Sequence, residues 1–155
     1  MKTIDRLNAA GLTLPSAENP SFNYLPISVH QGIVWMAGQI AKINGKVPVQ
    51  GQVSVEVPIP EAADQMKRCA MQALSHLQNH LGDLDRIGGI IHMNAYVACP
   101  ADFDGISALA DQASAVFIAA FGEAGRHPRS VLGVNRLPQN APVMIDLRLW
   151  LAESG

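Results

Sequence analysis

The chain has 155 residues, 48% of them hydrophobic and 15% charged, with a formal net charge of −2. That length suits one domain with a full core, and the apolar content leaves material for a subunit contact as well. No basic run or stripe occurs and aromatic residues make up only 5%, which argues against nucleic-acid binding by counterion release or base stacking. No segment is long and apolar enough to span a bilayer. The N-terminal "MKTIDRLNAAGLTLP" lacks the continuous apolar stretch of a secretory signal. Cys69 and Cys99 show no CxxC spacing, so reduced thiols in a cytoplasmic protein are expected.

The chain reads as a single domain over residues 1–155, without repeat, low-complexity tract or linker. Residues 1–24, rich in Pro, Asn and Ser toward Leu25, read as an irregular segment. Gln31-Gly32 reads as a tight turn between strands Ile27–His30 and Ile33–Ala37. Gly38 then interrupts the second strand, where a bulge or a close backbone approach is expected. "NGKVPVQG" is a loop around Asn44-Gly45, and "VSVEVPI" alternates like a strand.

The clearest helix runs from Pro60 to a stop at Gly82, with Met66, Ala70, Leu74, Leu77 and Leu81 on one face. A strand over Ile90 to Ala98 follows the Gly88-Gly89 pair. A second helix lies within "PADFDGISALADQASAVFIAAFG", its apolar stripe formed by Ile106, Leu109, Ala113, Val116, Phe117 and Ala120, with Gly122 as cap. Ser130–Val134 and "VMIDLRLWL" are strands joined by the loop "RLPQNAP". In the last of these Val143, Ile145, Leu147, Leu149 and Leu151 face one way, and Met144, Asp146, Arg148 and Trp150 the other. The order predicts an α+β fold: one sheet with two helices packed on one face. Its opposite face is mixed, and meets solvent or another subunit.

Chemistry-bearing residues are few. His76 and His80 stand four apart, a spacing that can hold zinc, but HExxH is absent and no third ligand is visible. The pair reads as a solvated helix flank. His92 reads as a hydrogen-bonded strand residue, and His30, beside a turn, carries no signal. GxSxG, Walker and GxGxxG motifs are absent. Cys99, just before Pro100, has no local base to activate it and reads as a buried free thiol. Arg129, at the mouth of an apolar strand, is either a structural ion pair or an anion clamp, since its planar fork suits a carboxylate.

Three stretches carry a resemblance. "HPRSVLGVNRLP" followed by "VMIDLRL" resembles the C-terminal signature of the RidA family (YjgF, once labelled endoribonuclease L-PSP). "VWMAGQI" resembles that family's "TSGQI" strand. Tyr24 precedes Ala37 by 13 residues, the family's separation between its pocket tyrosine and the serine of "SGQ". The resemblance covers about Tyr24 to the end, in a chain longer than a typical member, so this is a divergent branch.

The resemblance implies a chorismate-mutase-like homotrimer with a pocket between subunits. It implies hydrolysis of reactive 2-imino acids to 2-keto acids and ammonia, with no cofactor or metal, and a small carboxylate-bearing metabolite as partner. Arg129 would clamp the substrate carboxylate, Val131 would offer backbone groups, and Tyr24 would wall the pocket from a neighbouring subunit. Ser107 falls near the family's helix asparagine. Two positions depart. The "SGQ" serine is Ala37, beside Gly38, and the family's water-positioning glutamate, 15 residues after the arginine, is Met144. Asp146 lies one pleat beyond, roughly 6–7 Å along the strand, and reads as a structural ion-pair partner. The alternative to hydrolysis is therefore a non-catalytic trimer that binds a keto or amino acid. Ribonuclease activity has no supporting His/His or His/Lys constellation, and Arg126 and His127 read as loop residues at the rim.

Overall fold

Alternating and helical apolar patterns underlie the five strands and the two long helices, and the described residues hold one further short α-helix. A computed structural model describes residues 1–154. Strands β1 (Ile27–His30) and β2 (Ile33–Gln39) form a hairpin, followed by helix α2 (Ile59–Leu81), β3 (Ile87–Ala98), helix α3 (Ile106–Phe121), β4 (Arg129–Val134) and β5 (Val143–Leu151). One mixed sheet of order β1-β2-β5-β3-β4 results. β4 runs parallel to β3 across the α3 connection, and the other pairings are antiparallel. This is the expected α+β layering, with α2 and α3 on one face.

Local chemistry explains the boundaries. Gln31 and Gly32 both have positive φ, 49° and 76°, as a two-residue hairpin turn between right-twisted strands requires. Register between β2 and β5 slips between Met36 and Gln39, so the irregularity expected at Gly38 falls within Ala37–Gly38. α2 starts after Pro58 and stops at Gly82, whose left-handed φ of 79° ends the helix with its N–H on the Gln78 carbonyl.

The core lies between sheet and helices. Val143, Ile145, Leu147 and Leu149 of β5 are buried, as are Met66, Ala70, Leu74 and Leu77 of α2 and Leu109, Ala113 and Phe117 of α3. A second, smaller apolar cluster sits on the open face of the sheet, where Tyr96, Val134 and Met144 pack on Ile40, Val47, Ala98, Leu137 and Ala141. Elsewhere this face keeps Trp35 and Trp150 half-exposed. The Arg148 guanidinium lies 4.7 Å over the Trp35 ring. Trp150 covers Gly88 and Gly89 so closely that a Cβ on either would overlap its indole.

Two expectations need correction. The N-terminal segment is not irregular throughout, because Thr3–Ala9 forms helix α1, which packs on α3. It lacks a side-chain N-cap, and only Thr3 and Leu7 are buried, so two turns left almost no periodic signal. A bond from the Thr3 N–H to Asp85 Oδ1 at 2.8 Å ties it down. "VSVEVPI" is not a strand. Val53 and Val57 are buried and bridge each other, Val55 points outward, and the Glu56 and Val57 N–H groups both donate to the Gln52 carbonyl. The two buried valines are four residues apart across a tight turn, a spacing that coincides with every second step of a period-two pattern.

Candidate functional site

Arg129 opens β4, an edge strand, and shares a face with Val131, which packs against the main core. Its side chain is thereby directed toward α3. There Ser107, Asp111 and Ser114 follow one another at helical spacing along one stripe. The guanidinium engages all three. Nη1 donates to Ser114 Oγ at 2.9 Å, Nη2 donates to the Ser107 carbonyl at 3.1 Å, and Nη2 pairs with Asp111 Oδ1 at 2.7 Å. Of the two readings of Arg129, the ion pair is present, and its acid, Asp111, is on an exposed side chain. A cleft of about 200 Å³ adjoins, lined by Ser114, Ile118, Arg126, His127 and Arg129.

His127 is half-buried rather than a loose rim residue. Its Nε2 lies 3.0 Å from Ser114 Oγ, its Nδ1 lies 2.6 Å from the Gly125 carbonyl, and its ring meets Phe117 edge-on. Burial holds its pKa below the usual histidine value. Arg126, by contrast, is exposed and pairs with Glu123.

The remaining expected residues gather elsewhere. Met144 faces the open side of β5, directly against Gly38: a Cβ on that glycine would lie 2.7 Å from the Met144 Sδ. Ala37 shares the stretch, and Tyr24, half-exposed, lines a small cavity with Gly38. One chain therefore carries two separate groups: Arg129, Ser107 and Val131 where edge strand β4 meets α3, and Ala37, Gly38 and Met144 on β2 and β5, with Tyr24 beside Gly38 in a cavity that also borders Gln72 and His76 of α2. The Ser107 contact to Arg129 is made by its main-chain carbonyl, not its hydroxyl.

Asp146 is held in place. It accepts hydrogen bonds from Asn94 Nδ2 at 2.9 Å and Tyr96 Oη at 3.0 Å, and Arg148 approaches only to 4.0 Å. Burial, followed by this bond and the Asp146 charge, raises the Tyr96 pKa.

The histidine pair of α2 is not a solvated flank. His76 is buried and lines the Tyr24 cavity, and burial lowers its pKa; His80 is exposed. The His92 ring makes no hydrogen bond among the described residues, contrary to the bonded strand residue expected. Among those residues no three His, Cys, Asp or Glu side chains gather as metal ligands. Cys99 is half-buried beside a groove lined by Gln52, Phe103, Ile106 and Asn135, and burial raises its thiol pKa, which disfavours the nucleophilic thiolate. No helix is long and apolar enough to cross a membrane.

The sequence pattern singled out Arg129 but not the partners of its guanidinium, Asp111 and Ser114, nor the contact of Ser114 to His127. For Asp111 and Ser114 the available signal was the polar stripe of α3 opposite its apolar one; His127, just before β4, had no such signal.

The family described as "YjgF/chorismate_mutase-like, putative endoribonuclease" matches residues 4–151. The chain belongs to this family. Membership agrees with the resemblance drawn from "PRS", "RLP" and "AGQI". The chain is 33% identical over 141 residues to protein TCP17 of Trypanosoma cruzi, an alignment covering 90% of this chain and 88% of that one. Its fold matches the crystal structure of Atu1372 from Agrobacterium tumefaciens, a protein of unknown function, with TM-score 0.88 and 32% identity over 97% of this chain and 92% of that one. A Shewanella oneidensis protein of the same endoribonuclease description matches with TM-score 0.91 and 28% identity, covering 97% of this chain and all of the other.

Proposed function

We propose that this YjgF-family protein binds a small carboxylate-bearing metabolite, a keto or amino acid, with Arg129 as the anion-holding group. The observation that carries this reading is the Asp111 pair. The Arg129 fork already takes a carboxylate at 2.7 Å, and that carboxylate belongs to a side chain 69% exposed to solvent. An incoming carboxylate can replace it without disturbing the core. The site is completed between subunits of a homotrimer. Arg129 on edge strand β4 and the Tyr24–Gly38 group beside β2 stand apart within one chain, with β5 and β3 between them in the sheet, so a second copy is what would join them.

Met144 favours binding over hydrolysis. Where the family resemblance expects a water-positioning acid there is a thioether, packed on Gly38 and the small apolar cluster. Imine hydrolysis is the second reading, and one observation favours it. Asp146, on the same face one pleat along and side chain 21% exposed, is a fixed carboxylate near the expected water position.

The test uses calorimetric titration with 2-oxobutanoate on wild type and Arg129→Ala, alongside an assay with freshly generated 2-iminobutanoate. Binding lost in Arg129→Ala with no imine turnover supports the binding reading. Turnover above the spontaneous rate, lost in Asp146→Asn, supports hydrolysis instead. No binding by wild type to any of several 2-keto and 2-amino acids sinks the carboxylate reading. A stable monomer in sedimentation at micromolar concentration rules out the shared site.

A further inference from the structure

We infer that Ser114 and His127 are positioning residues for Arg129, linked in a one-directional chain of hydrogen bonds that ends on the Gly125 carbonyl. Its functional meaning rests on the reading of Arg129 as the carboxylate-holding group, while the chain itself stands on geometry.

The direction follows from donor and acceptor chemistry. A carbonyl oxygen only accepts, so at 2.6 Å from the Gly125 oxygen the His127 Nδ1 must carry the proton. The neutral ring then presents a bare Nε2, which accepts from the Ser114 hydroxyl at 3.0 Å. With its proton committed to His127, Ser114 Oγ has only lone pairs for Arg129, whose Nη1 donates to it at 2.9 Å. Every donor therefore points the same way: Arg129 to Ser114, Ser114 to His127, His127 to Gly125. The opposite tautomer would set the Nδ1 lone pair against the carbonyl oxygen and leave the Ser114 proton without an acceptor. Bonds aligned in this way polarise and strengthen one another.

The far end is rigid. Gly125 lies so close to the Phe117 carbonyl of α3 that a Cβ there would overlap it, and the edge of Phe117 braces the His127 ring. The near end has a consequence for binding. The guanidinium is held by two neutral acceptors, Ser114 Oγ and the Ser107 carbonyl, which fix its plane without cancelling its charge. Among the described residues the charge is answered only by exposed Asp111. An arginine set in its plane in advance loses less freedom when it takes a ligand.

Two measurements on the full chain test this. First, ¹⁵N NMR of the imidazoles should show His127 as the neutral Nδ1–H tautomer in wild type, with the resonance changed in Ser114→Ala. An Nε2–H tautomer in wild type overturns the chain, whether or not any ligand binds. Second, titration with 2-oxobutanoate should give about tenfold weaker binding in Ser114→Ala. Ser114→Thr, which keeps the hydroxyl, should restore affinity to near wild type. Equal affinity in wild type and Ser114→Ala overturns the positioning role. If Arg129→Ala binds as well as wild type, or wild type does not bind, the clamp reading fails and the NMR result alone establishes the chain as architecture.

Discussion

Replacing Asp111 by asparagine should make the protein slightly less stable and a better binder of carboxylates. Asp111 occupies Nη2 of Arg129 at 2.7 Å, with the arginine side chain 22% exposed and the aspartate 69% exposed. A pair so open to solvent contributes about 0.2–1 kcal/mol. That is also the amount by which it competes with a ligand carboxylate for the same fork. Removing the competitor should tighten 2-oxobutanoate binding by up to about fivefold, since about 1.4 kcal/mol is tenfold. Stability should fall by no more than about 1 kcal/mol. Asparagine keeps the shape and an acceptor oxygen, so the change isolates charge. Both effects should shrink as salt is raised. Calorimetric titration at low and high salt, with urea unfolding in parallel, reads both signs. Affinity unchanged or weakened at low salt would refute the reasoning, because Asp111 would then be part of the ligand's site rather than its rival.

Three further outcomes are expected. Met144→Glu should lower stability by about 1–3 kcal/mol in urea unfolding, because a carboxylate then sits on Gly38 and the small apolar cluster. The same variant should raise 2-iminobutanoate hydrolysis above the wild-type rate, and no gain in a folded variant removes position 144 from the water site. Gly125→Ala should cost about 3 kcal/mol or prevent folding, since the new methyl meets the backbone of α3, which cannot swing away; a wild-type melting temperature contradicts this. Acid should destabilise the protein from about pH 6.5 downward. His76 and His127 have folded pKa values below the ordinary 6.5 because burial disfavours the charged ring. The unfolded chain therefore takes up protons first, and stability falls until the pH has passed the lowered values. Urea midpoints between about pH 7 and pH 5 check the slope, which should flatten in His76→Asn. Asp85, lowered chiefly by its bond from Thr3, adds loss only below its ordinary 3.8.

The sheet and the two long helices were legible because each buries one face completely. β5 alternates without a break from Val143 to Leu149, and α2 repeats its apolar face over six turns with a glycine stop. α1 was not legible because Leu7 is its only large buried side chain, and a single anchor has no period. The 53–57 turn misled because its two buried valines fit strand alternation as well as a turn. At the site, Arg129 could be singled out from its neighbours, but its partners could not. Asp111 and Ser114 lie on a separate helix, and His76 is covered by residues 18–24 and 38–42, which meet over α2, where Ser75 Oγ also bonds the Pro15 carbonyl at 2.6 Å. Such meetings depend on how segments pack, which local patterning does not encode.

The open face of the sheet carries its own optical probe. The chain has two tryptophans, and both stand there, Trp35 at 47% and Trp150 at 41% exposure. No indole sits in the main core, so the intrinsic emission reports on this surface rather than on folding at large. A copy of the chain settling over it would shift that emission to the blue as concentration rises. Iodide quenching, strong for the free surface, would fade in step. The Arg148 guanidinium over Trp35 and the glycine backbone beneath Trp150 give the two rings different surroundings. Phe substitutions, one at a time, would therefore separate the end of the face near β1 from the end near Gly88.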